Sequence, residues 1–203
     1  MVFLFLFIST VRSGANLLAS EVFKVVLEGA RKGDREDLAT LWRYYNPAIV
    51  RYLSIFVGSD CDDVASETWI SIARALNTFE GNEESFRRFV IVVAKRKAVD
   101  FGRGAIVRER RKDRFSIAYS REIDGEVNEP TVDTSSELLG LLKAHLPAEV
   151  AEVIYLRYVL EFSVLEVAEI VGRSPEAVRT ASHRGLSRLR DRLLRQDLAD
   201  IGM

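Results

Sequence analysis

The stretch from Ser163 to Arg192 constrains the fold of this chain most, because it is typical of two helices joined by a tight turn. Apolar residues recur at helical spacing up to Val171, and Gly172 follows where a helix ends in the left-handed conformation that glycine tolerates. Ser174 is then a suitable N-cap, and Pro175 stands at the first helical position, where its missing N–H costs little. We therefore predict a second helix from Pro175.

This second helix is predicted to bury one stripe and to expose a basic surface. The inward stripe comprises Val178, Ala181, Gly185, Leu186, Leu189 and Leu193. The other faces carry Arg179, Thr180, His183, Arg184, Ser187, Arg188 and Arg190. A helix-turn-helix of this kind places its second helix in the major groove of DNA. The alternative is a plain helical hairpin with a solvated basic face.

Composition predicts an all-α protein. The 203 residues are 48% hydrophobic with only 4 prolines, and no sustained two-residue alternation indicates strands. The single cysteine, Cys61, excludes an internal disulfide and favours a reducing compartment, the cytoplasm. We find no phosphate loop and no convincing triad, and the two histidines are His145 and His183. The sequence therefore predicts neither an enzyme nor a cofactor.

The net charge of −1 conceals two basic blocks and an acidic connection. Lys95 to Arg114 carries nine basic and three acidic residues, and Arg173 to Arg195 carries seven and two. Between these blocks, Glu122 to Glu137 has six acids and no base. This pattern indicates two surfaces suited to nucleic acid. The acidic connection is either a mimic of nucleic-acid charge or a solvated tether.

Domain organisation follows from periodicity and turn residues. Residues 1–20 are predicted to be a disordered extension, because the apolar run Val2–Ile8 is too short to span a bilayer; the alternative is a membrane-surface anchor. Residues 21–114 form a first helical domain and 135–203 a second of about four helices. The linker 115–134 between them, with Gly125 and Pro130, is expected to let the domains move independently.

Within the first domain we predict a break between helices at Gly33 and Asp34, and a kink or restart at Pro47. Asp60 or Asp62 is expected to cap the next helix. Ser135 or Ser136 is expected to cap the first helix of the second domain.

Two features of the first domain are candidates for function. Acids gather at the start of one helix, where they suit the helix dipole, with metal ligation as the alternative: Asp62, Asp63 and Glu67. The loop Asn77–Glu84 precedes a helix that becomes basic at Lys95. These residues either receive a phosphate backbone, with Phe79, Phe86 and Phe101 as stacking partners, or form solvated surface.

These segments together resemble the extracytoplasmic-function (ECF) group of bacterial RNA polymerase sigma factors. CDDVASETWISIARAL, Cys61–Leu76, is similar to the signature of that family's region 2, and SFRRFVIVVAKRKAVDFGR, Ser85–Arg103, to its Phe-Arg-x-aromatic helix. LPAEVAEVIYLRYV, Leu146–Val159, begins the resemblance to region 4, which continues through the helix-turn-helix. The sequence departs from the family pattern at Ser66, Phe89 and Arg96, and the last of these bears on promoter preference.

The resemblance implies that different sets of residues bind the polymerase and the two promoter elements. Core RNA polymerase would be bound by Asp62, Asp63, Glu67 and Trp69. The melted minus 10 element would be held by Phe79, Phe86, Arg87, Lys95, Arg96, Lys97 and Arg103. The minus 35 duplex would be read by Ser174, Glu176, Arg179, Thr180, His183, Arg184 and Arg188. An anti-sigma factor is a further partner of this family, and no metal, cofactor or small-molecule substrate is implied.

A conventional helix-turn-helix regulator with an N-terminal sensing or dimerisation domain is the alternative function. The acidic start at Asp62 to Trp69 followed by a basic helix distinguishes the two, since a sensing domain has no reason to carry it.

Overall fold

The computed structural model describes residues 20–112 and 134–201. Eight α-helices account for most of these two ranges, which contain no strand, so the prediction of an all-α chain is confirmed. The helices are α1 Ser20–Arg31, α2 Arg35–Val57, α3 Cys61–Ala75, α4 Glu83–Lys112, α5 Thr134–His145, α6 Ala148–Ile154, α7 Val164–Val171 and α8 Pro175–Ile201.

The predicted N-terminal extension and linker lie outside the described residues, apart from Ser20 and Thr134, which begin α1 and α5. The domain boundaries and the character of these two segments therefore remain predictions. Helix α5 begins at Thr134, slightly before the caps expected at Ser135 or Ser136.

The break between α1 and α2 lies at Gly33 and Asp34, as predicted. Gly33 has a φ of 88°, which glycine adopts without strain, and the Asp34 carboxylate accepts hydrogen bonds from two backbone N–H groups of the first turn of α2. Pro47, however, neither interrupts nor restarts α2, which runs from Arg35 to Val57. An internal proline costs about 3 kcal/mol. Burial of Tyr45 and Ile49 on either side of Pro47 offsets this cost.

The chain enters α3 through one 3-10 turn, Gly58–Asp60. Asp60 precedes the helix, but its side chain makes no capping hydrogen bond, and Asp62 lies inside the first turn. The expected side-chain cap is therefore wrong. The preceding 3-10 turn leads directly into α3, so the helix begins as a continuation of that turn.

Aromatic rings fill the centre of the first domain, where α1, α2 and α4 meet. Phe86 is fully buried, and its ring centroid lies 5.4 Å from that of Phe23 and 5.1 Å from that of Tyr45. Phe79 and Phe89 pack on the outer side of the same ring, at 5.2 and 5.9 Å. Rings at these separations contribute attraction beyond their buried area.

The second domain contains the predicted helix-turn-helix, α7 and α8. Gly172 ends α7 in the left-handed conformation with φ 68° and ψ 37°. Ser174 accepts a hydrogen bond from the Ala177 N–H at 3.2 Å, which caps α8 as predicted. A capping box at the start of α7, formed by Ser163 and Glu166, was not predicted, although its Ser-x-x-Glu spacing is visible in the sequence.

The buried face of α8 differs slightly from the predicted stripe. Val178, Gly185 and Leu189 are buried, but Ala181 and Leu186 are only partly so, and Ser182 takes an inward position. The Ser182 hydroxyl is satisfied because it donates to the Val178 carbonyl.

Gly185 lies where α6 crosses α8. An added Cβ would stand 2.5 Å from Ile154 Cδ1 and 2.7 Å from Val150 Cγ1. A larger residue at this position would therefore force the Ile154 and Val150 side chains to shift within a packed core.

The two domains pack against each other. Helix α2 contacts α5 and α6, and α4 contacts α7. The expectation that the domains stay independent in the free chain is therefore not met by this structure. Polar side chains at this contact pair with buried groups of the opposite domain. The apolar periodicity of the sequence does not reveal such pairs.

Candidate nucleic-acid interfaces

The acidic start of α3 forms a charged surface above a buried tryptophan. Asp62, Asp63 and Glu67 are exposed, and Glu67 lies 3.7 Å from the Lys97 ammonium. Trp69 is only 8% exposed, and its indole N–H donates to the Asn46 side-chain carbonyl at 3.0 Å. The three acids are thus exposed to a basic partner, although Glu67 also pairs with Lys97, and Trp69 supports the surface from beneath. In the described ranges, no group of three or more His, Cys, Asp or Glu side chains could hold a metal ion.

The loop between α3 and α4 is held by Arg31 of α1. The Arg31 guanidinium donates to the backbone carbonyls of Leu76, at 3.1 Å, and Phe79. Gly81 has a φ of 150° and lies close against Phe79 and Ser85, a position that no larger residue fits. This loop therefore has a fixed shape, and sequence reasoning missed Arg31, which lies 48 residues before Phe79.

Two further side chains brace the start of α4. Asn82 Oδ1 accepts from the Ser85 N–H at 2.9 Å, which caps the helix. Glu83 is buried and accepts a hydrogen bond from the Tyr45 hydroxyl at 3.0 Å. Burial raises the pKa of the Glu83 carboxyl above its usual value, and burial beside Glu83 raises the pKa of Tyr45 well above its own. The Tyr45 hydroxyl therefore keeps its proton and remains the donor.

The aromatic residues predicted to stack on bases are not equivalent. Phe86 is 0% exposed and belongs to the core, so the prediction that it contacts a base does not fit this structure. Phe86 falls on the apolar face of α4 by its helical spacing, and its ring packs in the core. Phe79 and Phe101 are partly exposed, and Phe79 lies in the loop that Arg31 holds.

The basic residues of α4 divide into two groups. Arg96 and Arg103 are exposed, and Lys97 faces Glu67. Arg87 and Lys95 instead contact the second domain: Arg87 donates to the Leu160 carbonyl at 2.6 Å, and Lys95 to Glu152 at 2.7 Å. The basic residues predicted to hold the minus 10 strand are thus all on α4, but Arg87 and Lys95 already have partners in the second domain.

The outer surface of α8 and its N-cap Ser174 together contain all the residues predicted to read duplex DNA. The predicted set is exposed throughout: Ser174, Glu176, Arg179, Thr180, His183, Arg184 and Arg188. Buried Val178 and Leu189 face α6 and α7, so this outer surface points away from the domain. It has the shape and charge of a helix that enters a groove.

Glu152 is a buried carboxylate that sequence reasoning missed. It lies on α6 with 4% of its surface exposed, and it accepts from the Tyr52 hydroxyl at 2.6 Å as well as from Lys95. Burial and the Glu152 charge raise the pKa of Tyr52 well above its usual value, so the hydroxyl donates. Glu152 gives only a weak signal in the sequence, because it is simply an acid among apolar residues that face inward.

Both domains match known protein families. Residues 41–115 match Sigma-70 region 2, and residues 136–189 match Sigma-70 region 4. The ECF RNA polymerase sigma factor SigD of Mycobacterium bovis is 29% identical over 199 residues, which cover 93% of this chain and 92% of the relative. The chain belongs to the ECF group of sigma-70 factors. The first domain of this sigma factor is therefore region 2 and the second is region 4.

Other similar proteins agree with this assignment. The ECF RNA polymerase sigma factor ShbA of Streptomyces griseus is 27% identical over 183 residues, covering 83% of this sigma factor and 94% of the relative. Among solved structures, RpoE in complex with the anti-sigma factor NepR, from Bartonella quintana, aligns with a TM-score of 0.58 and 16% identity over 78% of this chain and 97% of that one. CnrH in complex with the cytosolic domain of CnrY aligns with a TM-score of 0.54 and 22% identity, over 85% and 97%. These two structures show the fold alone.

The family assignment decides between the functions left open by the sequence. A factor that directs promoter choice in transcription initiation is supported, and a conventional helix-turn-helix regulator is not favoured. No helix in the described part of this sigma factor has the length and apolar character needed to cross a membrane.

Proposed function

We propose that this sigma factor binds core RNA polymerase through the acidic start of α3 and presents two separate surfaces to promoter DNA. It acts in the cytoplasm and supplies binding and positioning, while the polymerase performs the chemistry. The observation that carries the proposal is the exposure of Asp62, Asp63 and Glu67 on the same domain as the basic helix α4.

Region 2 is proposed to hold the melted minus 10 strand. The loop that Arg31 fixes, with the half-exposed Phe79, offers a ring face for an extracted base. Arg96, Lys97 and Arg103, together with Arg87 and Lys95 once they are freed, would hold the phosphates.

Region 4 is proposed to read the minus 35 element as duplex, with the exposed residues of α8 in the major groove. The N-terminal turns of α8 would contact base edges and the later turns the phosphates.

An anti-sigma factor is a further partner that we propose for this chain. Two similar solved structures are of sigma factors in complex with NepR and with the cytosolic domain of CnrY. The acidic linker is proposed to run toward the RNA exit path.

The polymerase-binding surface can be tested by charge reversal of Asp63. Because Asp63 is exposed in the first turn of α3, Asp63→Arg leaves the core of region 2 intact but places like charge against a basic partner. We expect the Kd for core polymerase to rise at least about tenfold, or roughly 1.4 kcal/mol. Binding is measured by fluorescence anisotropy with labelled sigma factor.

Glu137→Arg provides a matched control, because Glu137 is also an exposed acid in the first turn of a helix, α5. Both reversals oppose their helix dipole, but only one alters the proposed surface. Equal Kd values for the two folded variants would refute the assignment. Trp69→Ala is a poorer probe, because removing this buried ring also destabilises region 2.

A further inference from the structure

The loop between α3 and α4 is fixed at two points by side chains from other helices. At Phe79, the Arg31 guanidinium of α1 donates to the backbone carbonyl. At Glu83, the carboxylate Oε1 accepts from the Tyr45 hydroxyl of α2 at 3.0 Å. Tyr45 and Glu83 are 38 residues apart in the sequence, and each is only 6% exposed, so water competes little for this hydrogen bond. Residues 80–82, which we call the loop tip, lie between these two fixed points.

Stability alone does not account for a buried carboxylate at Glu83. Replacing both members of a buried polar pair by apolar groups of similar shape is often close to neutral for folding, because the polar groups lose their water. Burial raises the pKa of the Glu83 carboxyl, which reflects this loss of solvation. A hydrogen bond adds direction, since donor and acceptor must meet at a defined distance and angle. The Tyr45–Glu83 hydrogen bond thus fixes the point at which the loop joins α4.

The loop tip is held from within by contacts that leave its outer face open. Gly81 packs so closely that an added Cβ would stand 2.8 Å from Ser85 Cβ and 3.1 Å from Phe79 Cζ. Asn82 Oδ1 accepts from both the N–H and the hydroxyl of Ser85, at 2.9 and 2.8 Å. Glu80, Gly81 and Asn82 are nevertheless exposed, beside the partly exposed ring of Phe79. A binding element that is ordered beforehand loses less conformational entropy when its ligand arrives.

We infer that Tyr45 and Glu83 are positioning residues for base extraction: together with Arg31, they hold the loop tip and the Phe79 ring in the arrangement that receives an unstacked base. This inference rests on the proposed function of region 2. Tyr45 and Glu83 are both buried, so each acts through the loop and neither contacts DNA. Loss of the pair therefore weakens binding to a strand that carries the base, and has no effect when the base is absent.

The test removes the pair without leaving an unpaired buried charge. Tyr45→Phe combined with Glu83→Met replaces both polar partners, and urea unfolding verifies that this double variant is folded. Glu83→Gln is the conservative variant, because its amide oxygen still accepts from the Tyr45 hydroxyl. Tyr44→Phe is the matched control, because it removes a hydroxyl from the neighbouring tyrosine, which is 40% exposed.

Binding is measured with holoenzymes and a labelled single-stranded oligodeoxynucleotide of about 12 nucleotides, selected from a random pool by the native holoenzyme. The same strand is then made with an abasic site at each position in turn. The position at which the native holoenzyme loses most affinity carries the extracted base. Fluorescence anisotropy gives the Kd of each holoenzyme for the intact strand and for the strand with this abasic site.

We expect the double variant to bind the intact strand about tenfold more weakly than the native factor, which is comparable to the loss of one stacked base. On the abasic strand, the double variant and the native factor should bind within roughly twofold of each other. Glu83→Gln and Tyr44→Phe should match the native factor on both strands. If the double variant does not fold, Tyr45→Phe alone makes the same comparison.

Three results would overturn the positioning role. Native affinity of the folded double variant for the intact strand would show that the loop needs no such pair. An equal loss on both strands would show general damage to region 2. A loss in Glu83→Gln as large as in the double variant would show that the charge matters and the hydrogen bond does not. If no abasic site weakens the native holoenzyme, region 2 holds no extracted base, and the proposed function itself is wrong together with the positioning role.

Discussion

Arg179 and Arg188 are both exposed on α8 but occupy different positions relative to a groove. At 3.6 residues per turn they lie on opposite flanks of the helix, and about 13 Å apart along its axis. Arg179 is in the second turn, close to the end that enters the groove, whereas Arg188 lies where the helix leaves it. The first position suits a base contact and the second a phosphate contact.

Alanine at each position should separate these roles. Arg179→Ala should relax the choice of one minus 35 base by roughly 1 to 3 kcal/mol, as for a lost bidentate contact to guanine. Arg188→Ala should weaken binding to all promoter sequences about equally. It should also reduce the slope of the logarithm of the binding constant against the logarithm of the salt concentration by about one. Holoenzyme binding to promoters with single minus 35 changes, at several salt concentrations, measures both. The opposite pattern would show that α8 lies reversed in the groove.

At the scale of residues, sequence predicted exposed charges better than buried polar groups. The outward residues of α8 follow from helical periodicity, because the apolar face fixes the rest. Glu152, Ser182 and Glu83 did not follow from it. Their burial depends on donors or acceptors that are one turn or many residues away, and a pattern of apolar residues does not contain that information.

At the scale of elements, the loop before α4 shows how α1 contributes to the minus 10 surface. Arg31 holds the loop by two backbone carbonyls, and hydrogen bonds to charged groups contribute roughly 1.5 to 3 kcal/mol each. Its guanidinium is partly buried, so water replaces these contacts poorly.

Arg31→Met should therefore loosen the loop without unfolding region 2. We expect promoter opening by the holoenzyme, measured by permanganate reactivity of minus 10 thymines, to fall about tenfold. Binding to the minus 35 duplex should be unchanged. Lys32→Met is the control, since it removes the same charge from an exposed neighbour. Equal opening by both variants would mean that the loop keeps its shape without Arg31.

Most element boundaries could be predicted, and the failures have local physical causes. Helices end near Gly33 and Gly172 because the backbone there has a positive φ, which glycine tolerates. Helix α8 begins after Ser174 because the Ser174 hydroxyl caps it. Pro47 did not end α2, because the buried face continues across it. Asp60 did not cap α3, because a 3-10 turn already joins the two helices.

At the scale of the whole molecule, sequence predicted two domains but not their contact. The contact depends on three groups brought together from α2, α4 and α6, and each group alone has a plain local explanation. The packing of the two domains could therefore not be predicted from apolar periodicity, although the motifs identified both domains.

Packing of this kind should couple the unfolding of the domains. Both tryptophans, Trp42 and Trp69, belong to region 2, so fluorescence reports that domain, whereas circular dichroism reports all the helices. In urea the two signals should change together for the native chain, since neither domain opens without losing the Glu152 contacts. In Glu152→Lys they should separate into two transitions, while Glu149→Lys, which changes an exposed acid paired with Arg173 within region 4, should retain one. Separate transitions in the native chain would show that the contact between the domains contributes no coupling, because each domain would then unfold at the midpoint set by its own core.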